Sequence, residues 1–395
     1  MVQARFYRPD LWRYLDPVIT AEPEQVRMEC FSSCCSVYGR VDFAAAAFDG
    51  YALLQRGTTN VNLNPAFIQG LQQLSPGQRS VQLSTADQRL KEDKVKLPTR
   101  WLKAFLPAEA LWREASCWQN LHALQARQLL TRLSGKDDGL RYLTPTPQGL
   151  QVLNTHSHRA EGLAVAGLQR LKLLKPLLPH LQSLAIYTLP AQGTVWVAQL
   201  PQARVTLALS ASVKHGFSGE GEALRSLSAQ PDAEALAFVR QIVPGLVRFT
   251  LAELAHYLET SPETVLPLLD TLAMDGLLGY DVTEQAWFYR VLPFAAQVPL
   301  RLQNARALLA QHPVALEQLQ LSDNGLQASG WVQGTQARYY GQLEIRAGQL
   351  HSGSCTCQWY RQHQLQRGPC KHLLALRFAA EAAAASEPSE SQCLE

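Results

Sequence analysis

Cys355-Thr-Cys357 is followed, after twelve residues, by Cys370-Lys-His372. No other feature of the chain restricts its fold as strongly. Zinc takes four tetrahedral thiolate or imidazole ligands. Cys-x-Cys at the end of an extended strand turns two sulfurs toward one centre, and Cys-x-His at a helix start supplies the second pair. Pro369 stiffens the approach to that second pair. Three of the chain's eight cysteines fall in a 16-residue stretch with paired spacing, which unconnected residues would rarely do. His351 and His363 are rival ligands but lack a paired spacing. Three Cys and one His fill the coordination shell and leave no position for a catalytic water, so one structural Zn²⁺ is expected on Cys355, Cys357, Cys370 and His372. Three thiolates and the ion sum to −1, which Arg361, Arg367, Lys371 and Arg377 would offset.

With 395 residues, the chain is long enough for two to four domains. Apolar content of 47% against 17% charged residues excludes a mostly disordered chain. The formal charge is +3, from 36 Lys and Arg against 33 Asp and Glu, which excludes a chain coated along its length by nucleic acid. The start of the sequence carries Arg5, Arg8, Asp10 and Arg13 where an export signal needs an apolar run. Leu171–Leu184, the richest apolar stretch, is broken by Lys172, Lys175, Pro176, Pro179 and His180. A cytoplasmic protein is therefore expected, with reduced thiols or metal ligands as the state of its cysteines.

The periodicities predict an α+β, multidomain chain. An N-terminal α+β region spans 1–155, with extended segments at Val26–Phe31, Ser36–Val41 and Tyr51–Leu63. A pairing of Val81–Ser84 with Lys94–Leu97 and helices at Trp101–Leu106 and Cys117–Leu133 follow. A middle α/β region, 156–244, has a leucine helix near Leu168–Leu181 and strands at Leu184–Thr188, Thr194–Leu200 and Arg204–Leu209. Helices near Glu222–Ser228 and Ala233–Val243 complete it. Residues 245–295 carry a short helix (Leu251–Leu258), a polar turn and a second helix. That second helix has Ser261 as N-cap and Pro262 at its first position, and ends at Gly276. A hairpin (Leu277–Val282, Trp287–Leu292) closes this winged-helix-like unit. A helical spacer is expected over 296–330, with Leu302–Leu319 helical and kinked at Pro313. A C-terminal ββα zinc finger spans 331–380, with strands in Trp331–Leu350 and an Ala-rich helix at Leu373–Ala385. A disordered tail spans 381–395.

Cys-x-Cys and Cys-x-His after a β-hairpin, with the second pair opening a helix, resemble the SWIM zinc finger. The wider chain resembles bacterial SWIM zinc finger family proteins, through Arg56-Gly-Thr-Thr-Asn60, Leu97-Pro-Thr-Arg-Trp101, Arg170-Leu171, Phe217-Ser-Gly-Glu-Gly-Glu222, Gly279-Tyr-Asp281 and Gly368-Pro-Cys-Lys-His372. The resemblance implies zinc binding and interaction with DNA or protein. It also suggests work beside MoxR-type AAA ATPases or von Willebrand factor A proteins, and it implies no established reaction.

Segment charges refine the choice of partner. Residues 336–380 hold six basic residues and one acid, with Trp359, Tyr339, Tyr340 and Tyr360 among them. Arg361, Arg367, Lys371, Arg377 and Trp359 are the candidates for contact with nucleic acid or a protein partner. Residues 245–294 hold two Arg and seven acids, and Pro262–Asp275 has no Arg, Lys, Asn or Gln, so DNA would be repelled there. That unit reads as structural or protein-docking. Phe217–Glu222 lacks the lysine of a phosphate loop and reads as a turn, as does Arg56–Asn60. His156 with His158, and Cys30, Cys34 and Cys35, lack partners for a second metal. The leading expectation is a non-enzymatic zinc-binding adaptor. The rivals are a nucleic-acid-binding protein using the finger's basic face, and an enzyme with a site around Arg56, Arg100 and Glu220.

Overall fold

The computed structural model describes residues 17–32, 35–48, 56–60, 69, 111–133, 139–155, 162–189, 193–213, 216–217, 231–292, 300–322, 325–346, 349–365 and 368–386. The expected pairing of Val81–Ser84 with Lys94–Leu97, the helices at Trp101–Leu106 and Glu222–Ser228, and the Leu97–Trp101 segment lie outside them. So do His156, His158, Arg100, Glu220, Arg367 and residues 387–395, whereas 381–386, expected as disordered tail, are helical. The chain divides into two units, one formed by Met1–Leu102, Ala115–Ser218 and Arg290–Ala295, the other by Lys103–Glu114, Gly219–Tyr289 and Ala296–Glu395. Both mix helix and strand. Among the described residues no helix is long and apolar enough to cross a membrane.

The first unit contains β1 (Val18–Ala21), β2 (Gln25–Phe31), β3 (Val37–Ala44), β4 (Gly57–Asn60), β5 (Ser116–His122) and α1 (Ala123–Arg132). It continues with β6 (Leu140–Thr146), β7 (Gly149–Leu153), β8 (Leu163–Ala166), a 3-10 helix (Leu168–His180), β9 (Ser183–Thr188), β10 (Thr194–Gln199) and β11 (Ala203–Leu209). An eight-stranded antiparallel sheet runs in the order β4-β1-β2-β3-β11-β10-β9-β5, and β7-β6-β8 form a second sheet. Leu121, Leu184, Ile186, Trp196 and Leu207 share one face of the large sheet. They pack with Leu129 and Leu130 of α1, Leu143 and Leu150 of the small sheet, and Leu171 and Leu174 of the 3-10 helix. The leucine helix is 3-10 where the sequence predicts a helix of unspecified type. Pro176 and Pro179 supply no backbone N–H for an α ladder. Arg170 is buried and donates to the carbonyls of Ser36 (2.7 Å), Ala166 (2.6 Å) and Ser210 (2.9 Å), so it clamps this helix onto the strands.

The opposite face of the sheet is charged and still buried. Register pairs Arg27 with Asp42, Glu29 with Arg40 and Asp42 with Arg204. Arg27 donates to Asp42 at 2.7 Å, Arg40 donates to it at 2.9 Å, and Tyr38 donates to Glu29 at 2.6 Å. Glu29 also accepts from Arg290. Burial alone would raise the Asp42 carboxyl, but Arg40, Arg27 and Arg204 hold it well below the usual range. Burial is likewise outweighed at Glu29 by Arg290 and Arg27.

The second unit begins with α2 (Ala233–Ile242), β12 (Arg248–Phe249), α3 (Leu251–Tyr257), α4 (Pro262–Met274), β13 (Leu278–Asp281) and β14 (Ala286–Tyr289). The strands pair in the order β12-β14-β13. A reciprocal capping box, Thr250 with Glu253, starts α3. Ser261 stands at the N-cap of α4 without a side-chain bond to the backbone; its hydroxyl lies 3.2 Å from that of Thr264 instead. Gly276, at φ +75°, ends the helix as expected. Gly279 lies under the Phe288 ring, where a Cβ would sit 2.2 Å from a ring carbon. Asp281 is fully buried and accepts from the amides of Thr283 (2.9 Å) and Glu284 (3.2 Å), fixing the hairpin turn. The Gly279–Asp281 motif is thus structural.

The remaining elements are α5 (Leu300–Gln311), β15 (Ala315–Ser322), β16 (Gly325–Gln333), β17 (Arg338–Arg346), β18 (Gln349–Cys355), α6 (Gln358–His363) and α7 (Lys371–Ser386). Strands β15 to β18 form a four-stranded antiparallel meander. Leu302, Leu326, Val332, Leu343, Leu350, Leu373 and Leu376 share its core.

Three secondary-structure expectations are corrected. Cys117–Leu133 is not one helix: 116–122 pair with β9, and His122 with Gln125 starts α1 in a capping box. Leu302–Leu319 does not continue through a kink: α5 ends at Gln311, and 315–322 pair with β16. Pro313 has no N–H to extend the ladder, and tertiary strand pairing takes the residues beyond it. The strands expected from Trp331 begin earlier, at Gly325.

Asp270 of α4 is buried against Arg113, and burial, working against that guanidinium, pushes its carboxyl up to about 6. The unfolded chain releases this proton near pH ~3.9, so the folded state binds the extra proton between ~4 and 6. The Asp270 contribution to stability is therefore greatest below ~4 and falls as pH rises to 6, by roughly 3 kcal/mol. Asp42 and Glu29 behave oppositely. Their stabilisation is present above pH ~4 and is lost as pH falls further. Hydrogen exchange across 262–274 in wild type and Asp270→Asn, between pH 4 and 7 (roughly the span of the two pKa values), should show a slope that the variant lacks.

Candidate metal centre

Cys355 is the last residue of β18, Cys357 is the N-cap of α6, and Cys370 and His372 flank the first residue of α7. All four side chains are buried, and their ligand atoms lie within 4.8 Å of one another. Local chain geometry places the first pair. Thr356 donates from its amide to the Tyr340 carbonyl (3.0 Å), and its hydroxyl accepts from the Tyr340 amide (3.0 Å). Thr356 therefore continues the pairing with β17 and is exposed, while the residues on either side of it turn inward. The second pair is placed by the helix start: the Leu373 amide donates to the Cys370 sulfur at 3.5 Å. The Tyr360 amide donates to the Cys357 sulfur at 3.4 Å. Such amide donors favour thiolate over thiol.

The electrostatics of the cluster fit a cation. Hydrogen bonding to the Cys357 sulfur raises the Cys355 thiol to about 11, and contacts with both neighbours raise Cys370 further. Those same two thiols hold Cys357 well below the ordinary range. Three thiolates this close repel one another, so all three lose their protons together only around a positive ion. His372 gives an independent indication. Both ring nitrogens are buried, and beyond the neighbouring Cys357 sulfur of the cluster itself neither has a hydrogen-bond partner, an arrangement that costs about 1–3 kcal/mol per unsatisfied polar atom unless something binds there. A tetrahedron with Zn–S bonds near ~2.3 Å has edges of about 3.8 Å, which the observed spacing accommodates. The cluster could therefore hold a metal ion.

Three residues outside the motif shape the site. The Tyr339 ring stacks on His372, centroids 4.3 Å apart and planes 29° from parallel. Arg301 of α5 donates to the Pro369 carbonyl at 3.0 Å and lies 4.9 Å from the Trp359 ring centroid, tying down the loop before Cys370. Gly334 leaves room for both rings: a Cβ there would meet Tyr339 at 2.6 Å and the His372 Nε2 at 3.0 Å. Sequence reasoning missed Gly334 and Arg301, which lie 38 and 71 residues from His372 and join it only through sheet and helix packing. Gly334→Ala should displace the Tyr339–His372 stack and weaken metal affinity by about 10–100-fold, as losses around a ligand typically do. Competition with a chromophoric chelator measures this.

The residues expected to form a basic contact face separate. Arg361 is exposed on α6 and Lys371 is half-buried at the start of α7. Arg377 is buried, with 1% of its surface accessible, and pairs with Glu381 at 2.7 Å. It is therefore corrected from a contact residue to an internal one. Its position on the inward side of α7 could be read only once that helix was packed. Trp359 is half-buried beneath Arg301 and packs on the core. Arg367 lies outside the described residues. On the meander, Trp331 is 36% exposed, packs against Tyr340 with centroids 5.1 Å apart and ring planes tilted by 58°, and has the Arg338 guanidinium 5.8 Å from its ring centroid.

What the fold and this cluster define together is a mixed helix-and-strand chain with a buried Cys₃His cluster that could hold a metal ion. No protein family matches the sequence, and no curated protein resembles it. Among solved structures, the PCNA2–PCNA3 complex of Sulfolobus tokodaii matches with TM-score 0.32 and 8% identity, over 51% of this chain and 92% of the other. PCNA of Thermococcus kodakaraensis matches with TM-score 0.31 and 11% identity, over 51% and 92% of the two chains. Neither likeness is strong enough to bear on fold or function.

Proposed function

We propose that this chain is a non-enzymatic interaction protein built around a zinc finger of the SWIM type. The observation that carries the reading is the closed Cys₃His set: four ligands, all buried, in the pattern of structural rather than catalytic zinc. Thiolates with an imidazole select soft or borderline ions, and zinc is the one suited to a redox-silent structural role. The part preceding it, β12 to β14, we read as a winged-helix-like unit in a structural role. Its second helix buries Val265, Leu268, Leu269, Asp270, Leu272, Ala273 and Met274, leaving little surface with which to enter a groove. The acids there would also repel phosphate.

The finger's partner, on this reading, is a protein. The family resemblance nominates MoxR-type AAA ATPases and von Willebrand factor A proteins as the first to test. A second reading, nucleic-acid binding, is favoured by one specific observation: exposed Trp331, with half-buried Tyr340 and exposed Arg338 beside it, could stack on unpaired bases. Full-length protein and Cys370→Ser serve as baits in nuclease-treated lysate of the source cell. A protein retained by the first and lost by the second is the expected result. Salt-sensitive binding of a single-stranded oligonucleotide, abolished by Trp331→Ala and Arg338→Ala, would instead favour the second reading.

A further inference from the structure

A cleft in the first unit, about 710 Å³ in volume, lies between α1, the β6–β7 hairpin and the start of the 3-10 helix. Its size is in the range of small-molecule sites. Its floor is apolar, with Leu129, Leu150 and Leu168 all buried. Two guanidinium side chains line it, Arg132 at the last turn of α1 and Arg141 on β6. Around them Gln128, Gln148, Gln151 and Gln169 present carboxamides, each able to donate and to accept. No carboxylate occurs among the described residues that line it.

We propose that this cleft binds a phosphate monoester of nucleotide or sugar-phosphate size, independently of the metal centre. Forked guanidinium donors match a phosphate. The carboxamides suit the hydroxyls or heterocyclic edges of the body that carries it, and the leucine floor accommodates the apolar side of that body. The volume exceeds what an inorganic ion alone would fill.

Isothermal titration of the full-length protein with AMP, glucose 6-phosphate and inorganic pyrophosphate tests this and separates the two sources of phosphate. Saturable binding of at least one ester is expected, weakened by salt. Arg132→Gln and Arg141→Gln should each raise its Kd about tenfold or more, the scale of one charge-assisted hydrogen bond. Both side chains lie outside the buried core, so the melting temperatures of these variants should stay at the wild-type value. Failure of both esters to bind overturns the proposal. So does an ester whose affinity is the same for the double variant as for wild type. Pyrophosphate binding as tightly as either ester overturns the size argument and with it the ester assignment.

Discussion

Cys370→Ser should release the metal and dismantle the end of the molecule that it holds. Elemental analysis should find one zinc per chain in the wild type and none in the variant. Zinc contributes on the order of 10–16 kcal/mol to folding in small zinc peptides, more than most domains have to spare. Here the loss is graded along the chain. The meander and α7 bury leucines of their own, whereas among the described residues of Cys355–His372 the one complete element is the short α6. Hydrogen exchange should therefore accelerate first across 355–372, then at the start of α7, and least in β16 and β17. A chelator should reproduce this in wild type and add nothing in the variant. A wild type with no bound metal and slow exchange across 355–372 would remove the metal centre from the account.

Arg290→Met should be the most damaging single change in the first unit. Arg290 and Glu29 expose 0% and 1% of their side chains and pair with each other. Removing one member of such a pair typically costs about 3–5 kcal/mol, because the other charge stays buried without its counterion. The pH dependence should also weaken. In wild type, Arg290 and Arg27 outweigh burial and hold the Glu29 carboxyl low, so its stabilisation is lost as pH falls. With methionine in place, only Arg27 and Tyr38 oppose burial, so the Glu29 carboxyl should rise and less stability should be lost as pH falls. The double variant with Glu29→Gln should recover part of the loss, since Tyr38 can still donate to that position. Denaturant melts at pH 5 and 7, roughly one and three units above the free carboxylate range, check both the loss and the weaker pH dependence.

How much of this was legible in the sequence depends on how far apart the interacting groups lie. The metal ligands occupy a single stretch from Cys355 to His372. Structural zinc sites commonly draw their donors from short, paired spacings, so the pattern nominates them without the fold. The turn at Gly276 is equally local, because it satisfies backbone groups within one helical turn. The strands β9 to β11 followed from runs of apolar and β-branched residues.

What the sequence left undecided is what distant segments do to one another. Arg27, Glu29, Arg40 and Asp42 look like the solvent face of two strands, because a period of two separates polar from apolar positions without saying which side meets water. Only the assembled sheet makes that face interior, where the charges become a paired network. Arg377 looks like surface charge for the same reason, and the packing of α7 on the meander turns it inward. The strand β15 follows a proline that reads as a kink, and it exists because β16 offers it a partner. Spacing alone thus nominated the four residues of the Cys₃His cluster, since they lie close together in the chain. Tertiary structure alone decided which charges are buried, and that Gly334, Tyr339 and Arg301 shape the cluster, since burial depends on neighbours that the chain supplies from far away.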